Sequence, residues 1–201
     1  MRWDRFFDDL EDQLASEWEA ERAALDSEAE RLRLSRVPLR DRLTALVDRD
    51  QTTPAPSFEF SDGTVVTAEV SGVGADWAAL QPATARTGAV IAPLGAIMSI
   101  GMPHPDLLRS ARPRAASSTL SDRMTLGFAL RDLVRRRIGV TLHLAHGRAL
   151  SGTIDRAGAD HLDLALHEPG AVRRAEEVSG HRLVPFAAIA WIRLEGAALP
   201  R

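Results

Sequence analysis

Residues 63–76 read Gly-Thr-Val-Val-Thr-Ala-Glu-Val-Ser-Gly-Val-Gly-Ala-Asp, and residues 147–160 read Gly-Arg-Ala-Leu-Ser-Gly-Thr-Ile-Asp-Arg-Ala-Gly-Ala-Asp. Gly63 and Gly147, Gly74 and Gly158, Ala75 and Ala159, and Asp76 and Asp160 all keep an offset of 84. A second block follows at an offset of 92, where Ile91-Ala-Pro-Leu-Gly-Ala-Ile97 matches Leu183-Val-Pro-Phe-Ala-Ala-Ile189. Upstream, Leu39-Arg40-Asp41 matches Leu130-Arg131-Asp132. A repeat of this kind governs every later reading, because each copy is one structural unit. It points to two small β-units produced by duplication.

Outward from the repeat, each unit has the same order. In the second, a helix is expected from Asp122 to about Arg137, capped by Ser121. Alternating Val140–Leu144 then turns at His146-Gly147, Ala149–Asp155 returns, His161–Leu166 alternates again, and Arg182–Leu194 ends the unit. In the first, Pro38 opens a short helix over Leu39–Val47. Strands follow at Phe58–Phe60, Val65–Val70, Trp77–Leu80 and Val90–Ile100, with a turn at Asp62-Gly63. Short strands would close as small barrels to remove their edges. The expected fold is therefore mainly β with α: two tandem small β-barrels, each preceded by a helix. The expected division is an acidic amphipathic helix over 1–36, a first barrel unit over 37–101, a linker over 102–121 and a second barrel unit over 122–196.

The N-terminal segment reads as one long helix, free of Gly and Pro until Pro38. Trp3, Phe7, Leu10 and Leu14 recur at steps of four, three and four, and Trp18, Leu25 and Leu32 continue at steps of seven. The stripe is narrow and interrupted by one four-residue insertion, as in a coiled-coil stutter. It either packs on the chain's own barrels or serves as a docking or dimerising arm. Residues 1–30 hold eleven acids and three Arg, while the whole chain of 201 residues has a net charge of −3. An acidic arm thus precedes mildly basic β-units.

Composition excludes several classes. With no Cys there is no disulfide framework, thiolate site or Cys nucleophile. No apolar run approaches the length of a membrane span, and the opening residues do not read as a signal peptide, so a cytoplasmic protein is expected. All 25 basic residues are Arg, which reflects nucleotide composition rather than phosphate recognition. No P-loop, dinucleotide fingerprint, nucleophile elbow or His-Glu-x-x-His is present. The expectation is no enzyme, no cofactor and no small-molecule substrate. Five of the six His lie at positions 143, 146, 161, 167 and 181, without forced convergence, so no metal is expected.

Val140-Thr-Leu-His-Leu-Ala-His-Gly-Arg-Ala-Leu-Ser-Gly-Thr-Ile154 resembles the first strands of the Sm-like family, which includes the bacterial Hfq-type proteins. Val184-Pro-Phe-Ala-Ala-Ile-Ala-Trp-Ile192 resembles the short final strand pair that carries the family's second motif. The first unit shows the same pattern with Ser71-Gly72 displaced by one. Other small SH3-like barrels share a Gly turn followed by Val-Pro-x-x-x-Ile. The resemblance implies a five-stranded barrel and RNA binding. Its pore chemistry uses an aromatic after the second strand and a Lys-His pair in the final motif. Here the aromatic falls at Asp160 and Asp76, and the Lys-His pair at Phe186-Ala187 and Leu94-Gly95. The family's base-contacting Asn corresponds to His161 and Trp77.

A stacking, cationic pore is therefore not reproduced. The expected function is a protein-interaction or assembly module, with Trp3, Phe7, Leu10, Leu14 and Trp18 as the candidate interface for a protein partner or self-association. The alternative is an RNA-binding regulatory protein, with contacts from Arg131, Arg135, Arg136, Arg137, His161 and Trp77. Each of these also has an ordinary structural use. Arg at a helix C-terminus suits the dipole, Trp77 and His161 can close their units, and Asp76 and Asp160 can cap their own turns.

Overall fold

A computed structural model describes residues 2–49, 52–83, 88–112, 120–171 and 173–196, with only the backbone for residues 2–12, 15, 121 and 122. Helix α1 spans Arg2–Ser35 and α2 spans Leu39–Val47. Strands β1 (Ser57–Phe60), β2 (Val65–Val73), β3 (Trp77–Pro82), β4 (Val90–Pro93) and β5 (Ile97–Gly101) follow. Helix α3 (His104–Ser110) lies within the stretch read as linker, and α4 spans Leu126–Arg136. Strands β6 (Gly139–Leu144), β7 (Ala149–Ala157), β8 (His161–Leu166), β9 (Gly180–Pro185) and β10 (Ile189–Leu194) follow.

The ten strands form one antiparallel sheet in the order β5-β1-β2-β3-β4-β10-β6-β7-β8-β9. The order does not close into a barrel, which departs from the expected pair of closed barrels. The physical reason is the central seam. The edge of β4 is taken by β10 of the other half, with Ile91 opposite Ile192 and Val90 opposite Arg193. Each half nonetheless runs its last strand, then its first four, in the same order. The turns match as well: Gly63 and Gly147 hold φ of 81° and 85°, a left-handed conformation that glycine takes without a steric penalty.

Each half has its own apolar core, and each core borrows from the other across the seam. The first contains Leu43 and Leu46 of α2, Phe58, Phe60, Val70 and Leu80, together with Ala190 and Trp191 of β10. The second contains Leu126, Leu130 and Leu133 of α4, Val140, Leu142, Ile154, Leu162 and Leu164, together with Ala89 and Ile91 from the first half. Small domains bury too little surface to be stable alone, so this exchange contributes stability to both. The Trp191 indole stacks on His143 at 3.6 Å and on Phe60 at 5.9 Å between ring centroids, and its Nε1–H donates to Asp62 Oδ2 at 3.0 Å.

Helix α3 is anchored by a buried ionic cluster. The Arg49 guanidinium meets Glu69 and, at 3.4 Å, Asp106, which also takes Arg109 at 3.0 Å. Arg49 further donates to the Thr53 and Pro54 carbonyls. Burial pulls the Arg49 pKa down, but the hydrogen bond and charge of Glu69, with Asp106, raise it overall. A buried charge so surrounded stays ionised and fixes geometry more than it adds stability.

Candidate interaction surfaces

Along α1 the apolar stripe faces solvent. Leu14, Trp18, Leu25 and Leu32 are 48%, 65%, 64% and 50% exposed. The side chains of Trp3, Phe7 and Leu10 lie outside the described residues. An ordered row of large apolar groups at helical spacing is costly to leave in water.

The two equivalent Gly-Ala-Asp turns do different work. In both, the glycine N–H donates to the carbonyl of the residue three positions later, Trp77 or His161, at 2.8 Å. In both, the ring of that residue lies so close that a β-carbon on Gly74 or Gly158 would meet it, at 2.1 and 2.7 Å. Beyond this the turns diverge. Asp76 Oδ1 accepts the Leu126 N–H at 2.6 Å, and the Ala75 N–H and Trp77 Nε1–H both donate to the Met124 carbonyl, at 2.8 and 2.9 Å. The first half therefore caps the N-terminus of α4, which carries no cap bond from Thr125. Ser121, expected to cap this helix, precedes it by five residues in a 3-10 turn over Leu120–Arg123. The equivalent Asp160 is 88% exposed at its side chain and bonds the neighbouring His161 Nδ1, at 2.8 Å. That hydrogen bond to the imidazole holds the Asp160 carboxyl below its usual range.

Trp77, partly buried, packs against the second core. His161 is partly open to solvent beside Asp160. The arginines singled out at the end of α4 separate. Arg131 reaches back toward the Gly158 carbonyl, and Arg136 pairs with Asp132 at 2.8 Å. Arg135, which also meets Asp132, and Arg137 turn toward a groove of about 880 Å³ between α4, β7, β8 and β9.

That groove gathers Arg135, Arg137, Arg156, Arg173, His181 and Arg182 against only Asp155 and Asp163. Asp155 is taken by Arg173 at 2.8 Å. Among the described residues no carboxylate lies within ion-pair distance of Arg137, Arg156 or Arg182. The sequence pointed to the helical half of this cluster. The strand half, Arg156 and Arg182, had no local signal, because 26 positions separate two residues that sheet pairing brings together.

At the seam, burial pushes the His143 imidazole below its ordinary value; the Asp62 carboxylate opposes this and Arg193 adds to it. Burial raises the Asp62 carboxyl, but the Thr64 N–H and hydroxyl and the Trp191 indole outweigh it, so it sits below the usual range. Among the described residues no group of His, Asp or Glu is arranged to hold a metal ion, and no helix is long and apolar enough to cross a membrane. Comparison of the chain with protein-family models, with curated proteins and with solved structures gives no match.

Proposed function

We propose that the chain is a non-enzymatic protein-interaction and assembly module, built from two tandem β-units of Sm-like strand order joined in one sheet and a helical docking arm. The observation that carries this reading is the α1 stripe, whose Leu14, Trp18, Leu25 and Leu32 are all about half or more exposed. The arm carries eleven acids against three Arg in its first 30 residues. Two such arms repel one another, so its partner is a basic amphipathic helix of another protein rather than a second copy. The natural test is purification from the cell's own lysate at low salt and at about 0.5 M salt, where surface charges are largely screened. Absorbance and mass spectrometry identify what co-purifies. A basic protein retained by the intact chain and lost with Trp18→Glu and Leu25→Glu would support the reading. Both positions are exposed, so these changes leave the fold intact. Loss of nothing on these substitutions would sink it.

A second reading, RNA binding, draws on the arginine groove. Three Arg without carboxylate partners among the described residues, beside Arg135 and Arg173, would suit a phosphate backbone. Nucleic acid that co-purifies at low salt, washes off at high salt and is lost with Arg137→Ala, Arg156→Ala and Arg182→Ala together would favour it. Release that does not depend on these residues would retire it.

A further inference from the structure

The arginine groove against β7, β8 and β9 carries unbalanced charge in a confined space. Five arginines face two aspartates, a surplus of three positive charges, and Arg173 already takes Asp155 at 2.8 Å. The α4 dipole accounts for Arg135, which lies in the last turn of that helix. It does not account for Arg156 and Arg182, which come from β7 and β9. Like charges gathered around one hollow repel each other, and an anion held among them relieves that repulsion.

Arg137 adds a second, independent observation. It ends α4 in the left-handed region, with φ of 53° and ψ of 42°, and it is the one non-glycine residue with positive φ among the described residues. Its N–H closes the helix on the Leu133 and Val134 carbonyls. Glycine commonly takes this position at helix ends, without steric penalty. A long side chain there strains the backbone, and strain kept at a surface of this kind points to a use for the side chain. Arg137 lines both the groove and a neighbouring hollow of about 380 Å³, and Thr153 and Arg173 are likewise common to the two.

The rest of the lining narrows the ligand. Among the described residues no Phe or Trp lines the groove, and the chain has no Tyr. Its one ring, His181, lies 3.8 Å from Asp155. Single-stranded nucleic acid is held by bases stacked on aromatic faces together with cations along the backbone, and here the cations stand without the faces. The volume of about 880 Å³ is that of a small-molecule site, roughly 300–1,000 Å³. We infer that the groove is a binding site for a compact, base-free polyphosphate, its phosphate groups held by Arg137, Arg156 and Arg182, with Arg135 at the end of α4. Guanidinium forks match phosphate oxygens two at a time. An RNA backbone shares this phosphate chemistry, so the test sets the free anion against the polymer. The inference does not rest on the α1 arm.

Titration calorimetry of the full-length chain with sodium tripolyphosphate, at about 0.15 M salt where long-range charge is screened, should give saturable binding at one site per chain. Sulfate at matched ionic strength should not displace it. Arg156→Ala with Arg182→Ala, both at exposed positions, should weaken binding about tenfold or more through lost charged hydrogen bonds. Arg137→Gly should also weaken it while the melting temperature holds or rises, because glycine relieves the left-handed backbone. That variant separates lost affinity from lost fold. A single-stranded RNA of about twelve nucleotides should bind more weakly than tripolyphosphate and be displaced by it. Trp18→Glu with Leu25→Glu should leave tripolyphosphate binding unchanged, so the groove and the α1 arm are judged separately. No saturable binding, displacement by sulfate, or equal binding by the double Arg variant would overturn the inference. So would RNA that binds more tightly than tripolyphosphate and is lost with the same arginines, which would assign the groove to a polymer.

Discussion

Trp191→Ala asks how strongly the two halves depend on each other. Trp191 belongs to a strand of the second half, yet its indole is 5% exposed inside the first core. Truncation removes the stack on Phe60 and on His143 and the Nε1–H bond to Asp62. Deleting a buried Trp costs about 3–5 kcal/mol through lost transfer energy and the cavity left behind. For a chain of this size that lowers the melting temperature by roughly 6–20 °C. Trp191→Phe keeps a ring between Phe60 and His143 and loses the indole donor. Asp62 still accepts from the Thr64 N–H and hydroxyl, so this variant should lose only about 1 kcal/mol. Trp18→Ala, on exposed helix surface, should stay within about 0.5 kcal/mol of the wild type. Urea unfolding followed by circular dichroism and by fluorescence gives all three values. Both probes should report one coincident transition, because the cores share strands. A loss below about 1 kcal/mol for Trp191→Ala, or two separate transitions, would refute the argument that the seam is core.

The seam also predicts a pH dependence. His143 has a folded pKa below its unfolded value, so the unfolded chain binds the proton first as pH falls. Stability is full above the unfolded pKa near 6.5 and declines as pH drops toward the folded value. His143→Gln should flatten that part of the stability-pH curve, read by urea titrations at a series of pH values. The two equivalent aspartates should behave differently: Asp76→Ala removes the cap of α4 and should cost about 1 kcal/mol, whereas Asp160→Ala should change stability by less than about 0.5 kcal/mol. Thermal melts of both variants decide this, and equal effects would contradict the capping role. Finally, a β-carbon on Gly152 would lie 2.0 Å from the Ala165 carbonyl oxygen, while one on Gly72 meets nothing closer than the Ala79 β-carbon at 3.9 Å. Gly152→Ala should cost about 1–3 kcal/mol by overpacking against backbone, and Gly72→Ala should be neutral or slightly stabilising, as measured by melting temperature.

Much of the local structure was legible in the chain itself. The apolar period and the absence of Gly and Pro determined α1, Pro38 placed the start of α2, and the glycines at 63 and 147 placed two hairpin turns. These features depend on residues within a turn or two of one another, so spacing alone expresses them. The repeat likewise carried the matching strand order of the two halves. What spacing cannot express is which edge meets which. Closure of each unit was expected because a free edge is a liability, and the tertiary structure relieves that liability at one edge of each half by pairing β4 with β10.

That single pairing decided the rest. It sent Trp191 into one core and Ile91 into the other. It also put Asp76 against the N-terminus of α4 and left Asp160, identical in local sequence, in solvent. The arginine groove follows the same rule, with its helical members adjacent in sequence and its strand members joined only through β7, β8 and β9. Local geometry follows from bonds and side chains near in the chain. Burial, capping partners and clustered charge follow from contacts between distant segments, and those were chosen by the folded sheet.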